Sequence, residues 1–363
     1  MVSLYFHIPF CSKKCPYCHF YVVPNKRSLQ AALMEGLRLE WQKESPKLEG
    51  KEVVSLYFGG GTPSLLSPAY LSEIVAWVRP YLSSDAEVTI EANPEECSPA
   101  LYDTFLQLGI NRLSLGVQSL DNSSLQEIGR IHSTEKALGA IFDASRSGFK
   151  NISIDLMFDL PNQSEASWKR TLEKLPDLPI THLSLYNLTI EPHTSFFKRK
   201  EEIKQPLPAE SLQLLQMALA AFERIGLRRY EISAFAKDGL ISKHNTGYWI
   251  GRPFLGFGPS AFSYWDGKRT SNLSNLQRYR RALLQGVSPV GFSEELVYPD
   301  HLHELFTIRL RLLEGAPKQE LPDKTLETLK KLVEAGLLIE GQEHWKLTEK
   351  GLLFYDTIAA ELI

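Results

Sequence analysis

Three cysteines fall within one short stretch, HIPFCSKKCPYCHF, at Cys11, Cys15 and Cys18. Read from Cys15, the stretch contains C-P-Y-C, the pattern of a glutaredoxin dithiol. Read from Cys11, it is C-x3-C-x2-C. Three thiolates on such a loop can each hold one iron of a cubane cluster and leave the fourth iron without a protein ligand. That open corner can be chelated by a small molecule carrying an amino and a carboxylate group, just as a catalytic metal keeps a position that a structural metal closes. The dithiol reading leaves Cys11 idle and asks for a compact thioredoxin-type domain. A structural zinc is the third reading of the same residues. Cys97 lies far along the chain and reads as a thiol of no special role.

The elements that must position this loop alternate between β-rich and helical runs. Strand candidates begin at Ser3 (SLYFHI), Val53 (VVSLYF), Glu87 (EVTIEA), Arg112 (RLSLGV), Asn151 (NISIDLMF) and His182 (HLSLYNL). Several read as nearly continuous apolar runs, as parallel strands covered on both faces do. Helices lie between them. Leu29, Leu33, Leu37 and Trp41 form one stripe, Leu71, Ile74, Val75 and Val78 another behind Ser67-Pro68, and a third helix runs from Ser98-Pro99 to a left-handed cap at Gly109. Six β-then-α units predict an α/β fold with a parallel sheet curled into a barrel or part of one. Ligands of such folds gather at the carboxyl ends of the strands. Here those ends are the cysteine loop, Gly59-Gly60-Gly61-Thr62-Pro63, Glu91-Ala92-Asn93-Pro94, Gly116-Val117-Gln118-Ser119, Asp155 within its strand, and Tyr186-Asn187-Leu188-Thr189. The triple glycine can let backbone approach a ligand closely, or can be a tight turn and nothing more.

The rhythm changes past about residue 205. A helix and one further strand lead into a Gly- and aromatic-rich segment. From Pro299 a helix (TLETLKKLVEAG) and a hairpin (LLIEGQEHWKLTEKG) resemble a small winged-helix unit. Its mixed charge, and the balance of 40 basic against 43 acidic residues, give no footprint for nucleic acid, so a capping or substrate-closing role is expected. No apolar run reaches bilayer-spanning length and no leader pattern opens the chain, so a cytoplasmic location is expected.

Taken together, HIPFCSKKCPYC, GGGTPS, EANP, GVQS, GRIHS and IDLMFDLPNQ resemble the radical S-adenosylmethionine superfamily, and within it the oxygen-independent coproporphyrinogen III oxidase family. The resemblance implies a partial (β/α)6 barrel over residues 1–235, a connecting segment over 236–298 and a C-terminal α+β winged-helix-like domain over 299–363. It implies a [4Fe-4S] cluster on Cys11, Cys15 and Cys18, with S-adenosylmethionine on the unique iron. The matching nucleotide contacts are Tyr5, Tyr17, Gly60, Gly61, Thr62, Glu91, Gln118, Arg130, Asp155 and Thr189. These types fit, since carboxylates accept from ribose hydroxyls or an amino group and an arginine forks onto a carboxylate.

Two branches of the family differ in function. The oxidase carries a fourth cysteine two positions after the third, where this chain has Phe20. The heme chaperones lack it, and they share the motif H-N-x-x-Y-W, which here is His244 to Trp249. The resemblance is therefore closest to the chaperone branch. It implies heme as cargo, His244 as a heme contact, a heme-recipient protein, an electron donor such as flavodoxin or ferredoxin, and at most peripheral membrane contact. Coproporphyrinogen decarboxylation is the alternative function, and thiol–disulfide exchange at Cys15 and Cys18 the remote one. Two positions depart from the branch: His19 replaces a common Asp, and Phe262 stands where a histidine often follows the motif. His132, in GRIHS, has no role that the sequence supplies.

Overall fold

The computed structural model describes residues 1–363. Six strands, β1 (Val2–Ile8), β2 (Val53–Gly60), β3 (Leu82–Ala92), β4 (Arg112–Gln118), β5 (Asn151–Phe158) and β6 (His182–Asn187), lie side by side in chain order, every neighbouring pair parallel. Helices α1 (Arg27–Glu44), α2 (Pro68–Val78), α3 (Pro99–Gln107), α4 (Asn122–Glu127), α5 (Thr134–Ser147) and α6 (Glu165–Leu172) fill the crossovers. The sheet does not close on itself, so the architecture is a partial (β/α)6 barrel.

The strands are buried almost throughout, but they are not uniformly apolar. The register aligns Tyr5 with Tyr57 and Tyr57 with Thr89, Glu91 with Ser114, Ser114 with Ser153, and Asp155 with Ser184. Because side chains alternate along a strand, one face collects these polar residues. The other collects Leu4, Phe6, Leu56, Phe58, Ile90, Leu113, Leu115, Ile154 and Leu183, which enter the main core under the helices. The runs that read as continuously apolar are thus two-faced, with a polar interior.

Helix signals place the crossovers. Ser98 caps α3 by accepting from Leu101 N, Pro99 occupies the first turn, and Gly109 takes φ +86° after the helix end. Ser67 stands before Pro68 as expected, but its side chain makes no cap bond. On α1 the stripe includes the buried Glu40, whose carboxylate accepts from Gly258 N at 2.8 Å, Asn272 Nδ2 at 2.6 Å and Tyr279 Oη at 2.5 Å. Three donors offset the cost of burying that acid, though desolvation still pushes its carboxyl up to about 7.

Beyond the barrel come α7 (Pro208–Arg224), β7 (Arg228–Glu231), β8 (Ala234–Ala236), α8 (Lys243–Trp249), β9 (Phe254–Phe257), β10 (Phe262–Trp265), β11 (Lys268–Asn272), α9 (Leu276–Leu284) and β12 (Val290–Glu295). Strand β8 pairs antiparallel with β6 at one edge. Strand β9 adds to the other edge parallel to β1, and β10 to β12 continue outward as a meander. The segment expected only to connect therefore widens the same sheet. Residues 300–362 form α10 (Asp300–Arg309), β13 (Ala316–Pro317), α11 (Asp323–Glu334), β14 (Leu338–Glu340), β15 (His344–Leu347), α12 (Glu349–Leu353) and α13 (Tyr355–Leu362), with their own core around Phe306, Leu310, Leu329, Trp345 and Ile358. Arg311 ties this unit to the barrel. Its guanidinium lies 4.3 Å from the Trp249 ring centre, 5.1 Å from that of Tyr355 and 3.3 Å from Glu231. No helix is long and apolar enough to cross a membrane.

Candidate cofactor site at the barrel mouth

The cysteine loop leaves β1 at the carboxyl end of the sheet and is laced to the glycine loop leaving β2. Gly61 N donates to Ile8 O at 2.9 Å and Thr62 N to Phe10 O at 2.7 Å. A Cβ at Gly61 would lie 2.7 Å from Phe10 O, and Gly60 holds φ +112°, so the two loops approach this closely only because glycine is present. Gly60 N is already engaged, donating to Glu91 Oε2 at 3.2 Å. The triple glycine therefore serves first to seat the cysteine loop.

All three cysteines are free and partly exposed. Cys11 Sγ lies 3.5 Å from Thr62 Oγ1, and Arg130 Nη1 lies 3.6 Å from Cys15 Sγ. Burial pushes the Cys11 thiol up to about 11 and raises Cys18 as well, so these two wait for a compensating positive charge. A cubane takes each thiolate on a different iron, and this donor set suits it. The surrounding fold is not thioredoxin-like, which leaves the dithiol reading without its scaffold.

Two of the expected nucleotide residues, Thr62 and Arg130, join a hydrogen-bonded chain that the sequence did not reveal. Asn93 Nδ2 donates to Thr62 Oγ1 at 2.9 Å, and Arg130 Nη2 donates to Asn93 Oδ1 at 2.7 Å and to Gly116 O at 2.8 Å. The Nε of Arg130, whose side chain is only 6% exposed, has no partner, which leaves a buried donor for an anionic group at this mouth. His132 gains a role here. Its Nδ1 lies 2.9 Å from Glu95 Oε2 and its Nε2 3.2 Å from Val117 O, and Glu95 stands 3.8 Å from Arg130. It thereby orients an acid behind the arginine.

Deeper in the barrel, Tyr57 Oη donates to Glu91 Oε1 at 2.8 Å. Burial raises Glu91 to about 7, with Asp155 adding to the shift, and burial raises Asp155 to about 6. Tyr5 stacks on Tyr57 with ring centres 6.1 Å apart. Gln118 holds φ +65° at the end of β4, a conformation few non-glycine residues adopt. Tyr17 packs its ring 6.3 Å from Phe196, within an apolar cluster that fastens the cysteine loop to the ends of β5 and β6. Thr189 is exposed on the loop after β6. The structure thus gathers Tyr5, Gly60, Gly61, Thr62, Glu91, Arg130 and Asp155 on the polar face and its mouth, and leaves Thr189 at the rim.

His244, expected as a heme contact, lies inside the fold. It is 1% exposed and faces into the barrel, with Nδ1 3.0 Å from Ser55 Oγ, Nε2 2.8 Å from Tyr248 Oη and its ring stacked 4.8 Å from that of Tyr57. Helix α8 is aimed this way because Glu87 on β3 accepts from the backbone N–H groups of Lys243 (2.9 Å) and His244 (3.0 Å). An axial heme ligand needs a free nitrogen lone pair with open space before it. Neither nitrogen of His244 has one.

Beside the cysteine loop an aromatic cavity of about 450 Å³ is lined by Tyr5, His7, His19, Phe20, Tyr21, Tyr248, Phe254, Ser260 and Phe262. The two positions that depart from the branch pattern, His19 and Phe262, share this wall. A larger and more polar cleft of about 640 Å³ opens between α1 and β9 to β12, away from the cysteines.

Comparison with known proteins agrees with this geometry. The Radical SAM superfamily model matches residues 5–175, and the HemN C-terminal domain model matches residues 298–354. The heme chaperone HemW of Bacillus subtilis (strain 168) is 32% identical, the match covering 97% of each chain, and that of Escherichia coli (strain K12) is 33% identical over 98% of this chain and 97% of its own. The solved structure of coproporphyrinogen III oxidase (HemN) from Escherichia coli, a radical SAM enzyme, superposes with a TM-score of 0.86 at 25% identity, covering 99% of this chain and 89% of that one. The chain belongs to the radical S-adenosylmethionine superfamily, in the oxygen-independent coproporphyrinogen III oxidase family and closest to its heme-chaperone branch.

Proposed function

We propose that the protein is a heme chaperone that carries a [4Fe-4S] cluster on Cys11, Cys15 and Cys18, binds S-adenosylmethionine beside it, and passes heme to a recipient protein. One observation carries this reading: the match to bacterial heme chaperones runs nearly end to end in both chains. The loaded cluster supplies a single electron at an open iron corner, drawn from a small redox protein such as a flavodoxin or ferredoxin. The chain's own residues hold and orient the nucleotide. Arg130 offers its unpartnered Nε to the carboxylate, Glu91 and Asp155 accept from amino or hydroxyl groups, and Tyr5, Tyr17, Gly60, Gly61, Thr62, Gln118 and Thr189 shape the remaining walls. Three clustered free thiols suit a reducing compartment, which supports a cytoplasmic site of action.

Arg130→Gln is expected to weaken S-adenosylmethionine binding about 10- to 100-fold, the worth of one charged hydrogen bond, while cluster iron stays in place. Equilibrium dialysis on the reconstituted protein checks it. The function itself is tested by loading the anaerobic, cluster-containing protein with heme and adding an apo-hemoprotein acceptor. The expected result is transfer to the acceptor faster than from free heme. Retention of all heme, or failure to bind it, overturns the reading.

The likeness to the oxidase structure favours one second reading, decarboxylation of coproporphyrinogen III. It predicts protoporphyrinogen on incubation with coproporphyrinogen III, S-adenosylmethionine and a reductant. The chaperone reading predicts none, and Phe20 in place of a fourth thiol supports it.

A further inference from the structure

The geometry points to the aromatic cavity beside the cysteine loop as the heme seat, with His19 as the axial ligand to its iron; this assignment rests on the chaperone reading above. The wall offers few iron-binding groups, and all but one are already engaged. His7 is 4% exposed, with Nδ1 3.2 Å from Tyr5 Oη and Nε2 3.2 Å from Tyr21 O. Tyr21 Oη accepts from Leu276 N at 2.7 Å, and Tyr248 Oη is paired with His244. His19 alone is exposed, with both ring nitrogens free of hydrogen bonds and its ring tilted 32° against Phe20 at 4.7 Å between centres. A neutral imidazole with a free nitrogen is a good iron ligand.

The rest of the cavity suits a flat apolar ring with anionic edges. Phe20 and Phe262 are 53% and 51% exposed, an unusual state for two phenylalanines that share one wall. A porphyrin would cover both. The volume lies within the ~300–1,000 Å³ range of cofactor clefts. Lys14 donates from its ammonium to Phe20 O at 3.2 Å, which sets a cation beside one of the lining residues for an anionic edge group. Because His19 directly follows Cys18, cargo and cluster share one loop.

The test uses the full-length, cluster-loaded protein, titrated with hemin and separately with metal-free protoporphyrin IX, and ferric heme EPR and magnetic circular dichroism read the ligand. His19→Ala is expected to weaken hemin at least tenfold, to erase the imidazole signature and to regain it with added imidazole, while protoporphyrin IX binds as before. Phe262→Glu, on a separate element, is expected to weaken both ligands. His344→Ala, in the C-terminal sheet, is the control and changes neither. An unchanged hemin spectrum and affinity in His19→Ala overturns the ligand assignment, and unchanged affinities in Phe262→Glu overturn the cavity. Wild-type protein that binds no hemin overturns both, together with the chaperone reading on which they stand.

Discussion

Cys11→Ser is expected to remove nearly all cluster iron and sulfide from anaerobically reconstituted protein, and Cys15→Ser and Cys18→Ser to do the same. A cubane held by three thiolates loses an iron anchor with each substitution, and a serine hydroxyl does not ionise to replace the soft sulfur ligand. The loss should be chemical and not a collapse of the fold. The loop is seated by backbone bonds from Gly61 and Thr62, which Cys11→Ser leaves intact, so stability should change by less than about 1 kcal/mol. Cys97→Ser serves as the contrast. That thiol is 5% exposed, donates to Asn93 O at 3.2 Å and should be silent in iron content. Iron and sulfide analysis per chain decides the matter. Full cluster content in Cys11→Ser would return the loop to its Cys15–Cys18 dithiol reading, in which Cys11 has no part.

The cysteine loop was legible because spacing along one short segment is a local property. The six strands were legible for a related reason, since each is a compact β-rich run bounded by turns. Their two-faced character was harder to see. In SLYF, SIDL or LSLY the alternating residue is often Ser or Tyr, small or amphipathic enough to pass as part of an apolar run. Only register shows that Tyr57, Glu91, Arg112 and Asp155 share one interior face. The chain from Thr62 through Asn93 to Arg130 was invisible for the same reason: its members come from the loops after β2, β3 and α4 and meet only in space. The meander after α8 was hidden by composition. Strand β9 reads FLGF, a loop-like run, yet Gly256 is needed because a Cβ there would lie 1.9 Å from Phe262 O. The orientation of His244 was not legible either, because it depends on Glu87, far away in sequence, which accepts from the first turn of α8 and turns the imidazole inward.

That inward placement makes His244 a keystone of stability with a pH signature of its own. Burial, reinforced by Arg252 and Arg112, pulls its pKa down from 6.5 to about 3. The folded protein thus holds the imidazole neutral, while the unfolded chain takes up a proton below about pH 6.5. Its contribution is complete above that pH and is lost progressively as pH falls toward 3. At pH 5 the loss is about 2 kcal/mol. His7, lowered to about 4 by burial, acts in the same direction, whereas Glu40 and Glu91, raised to about 7, gain stability as pH falls. The net profile of the wild type therefore mixes opposing effects, and a difference measurement isolates the histidine. His244→Gln should cost about 2–4 kcal/mol at pH 7.5, from the lost stacking on Tyr57 and the lost bonds to Ser55 and Tyr248. At pH 5 the cost should shrink by about 2 kcal/mol, because the variant no longer holds a neutral imidazole. Urea unfolding of both proteins at the two pH values measures this, and a cost independent of pH would refute the buried neutral state. The same variant separates positioning from ligation in heme binding. Tyr248 forms part of the cavity wall and is hydrogen-bonded to His244, so His244→Gln can loosen heme without touching its iron. The affinity should fall while the axial imidazole signature stays, since His19, the ligand that produces it, makes no hydrogen bond to His244 or Tyr248.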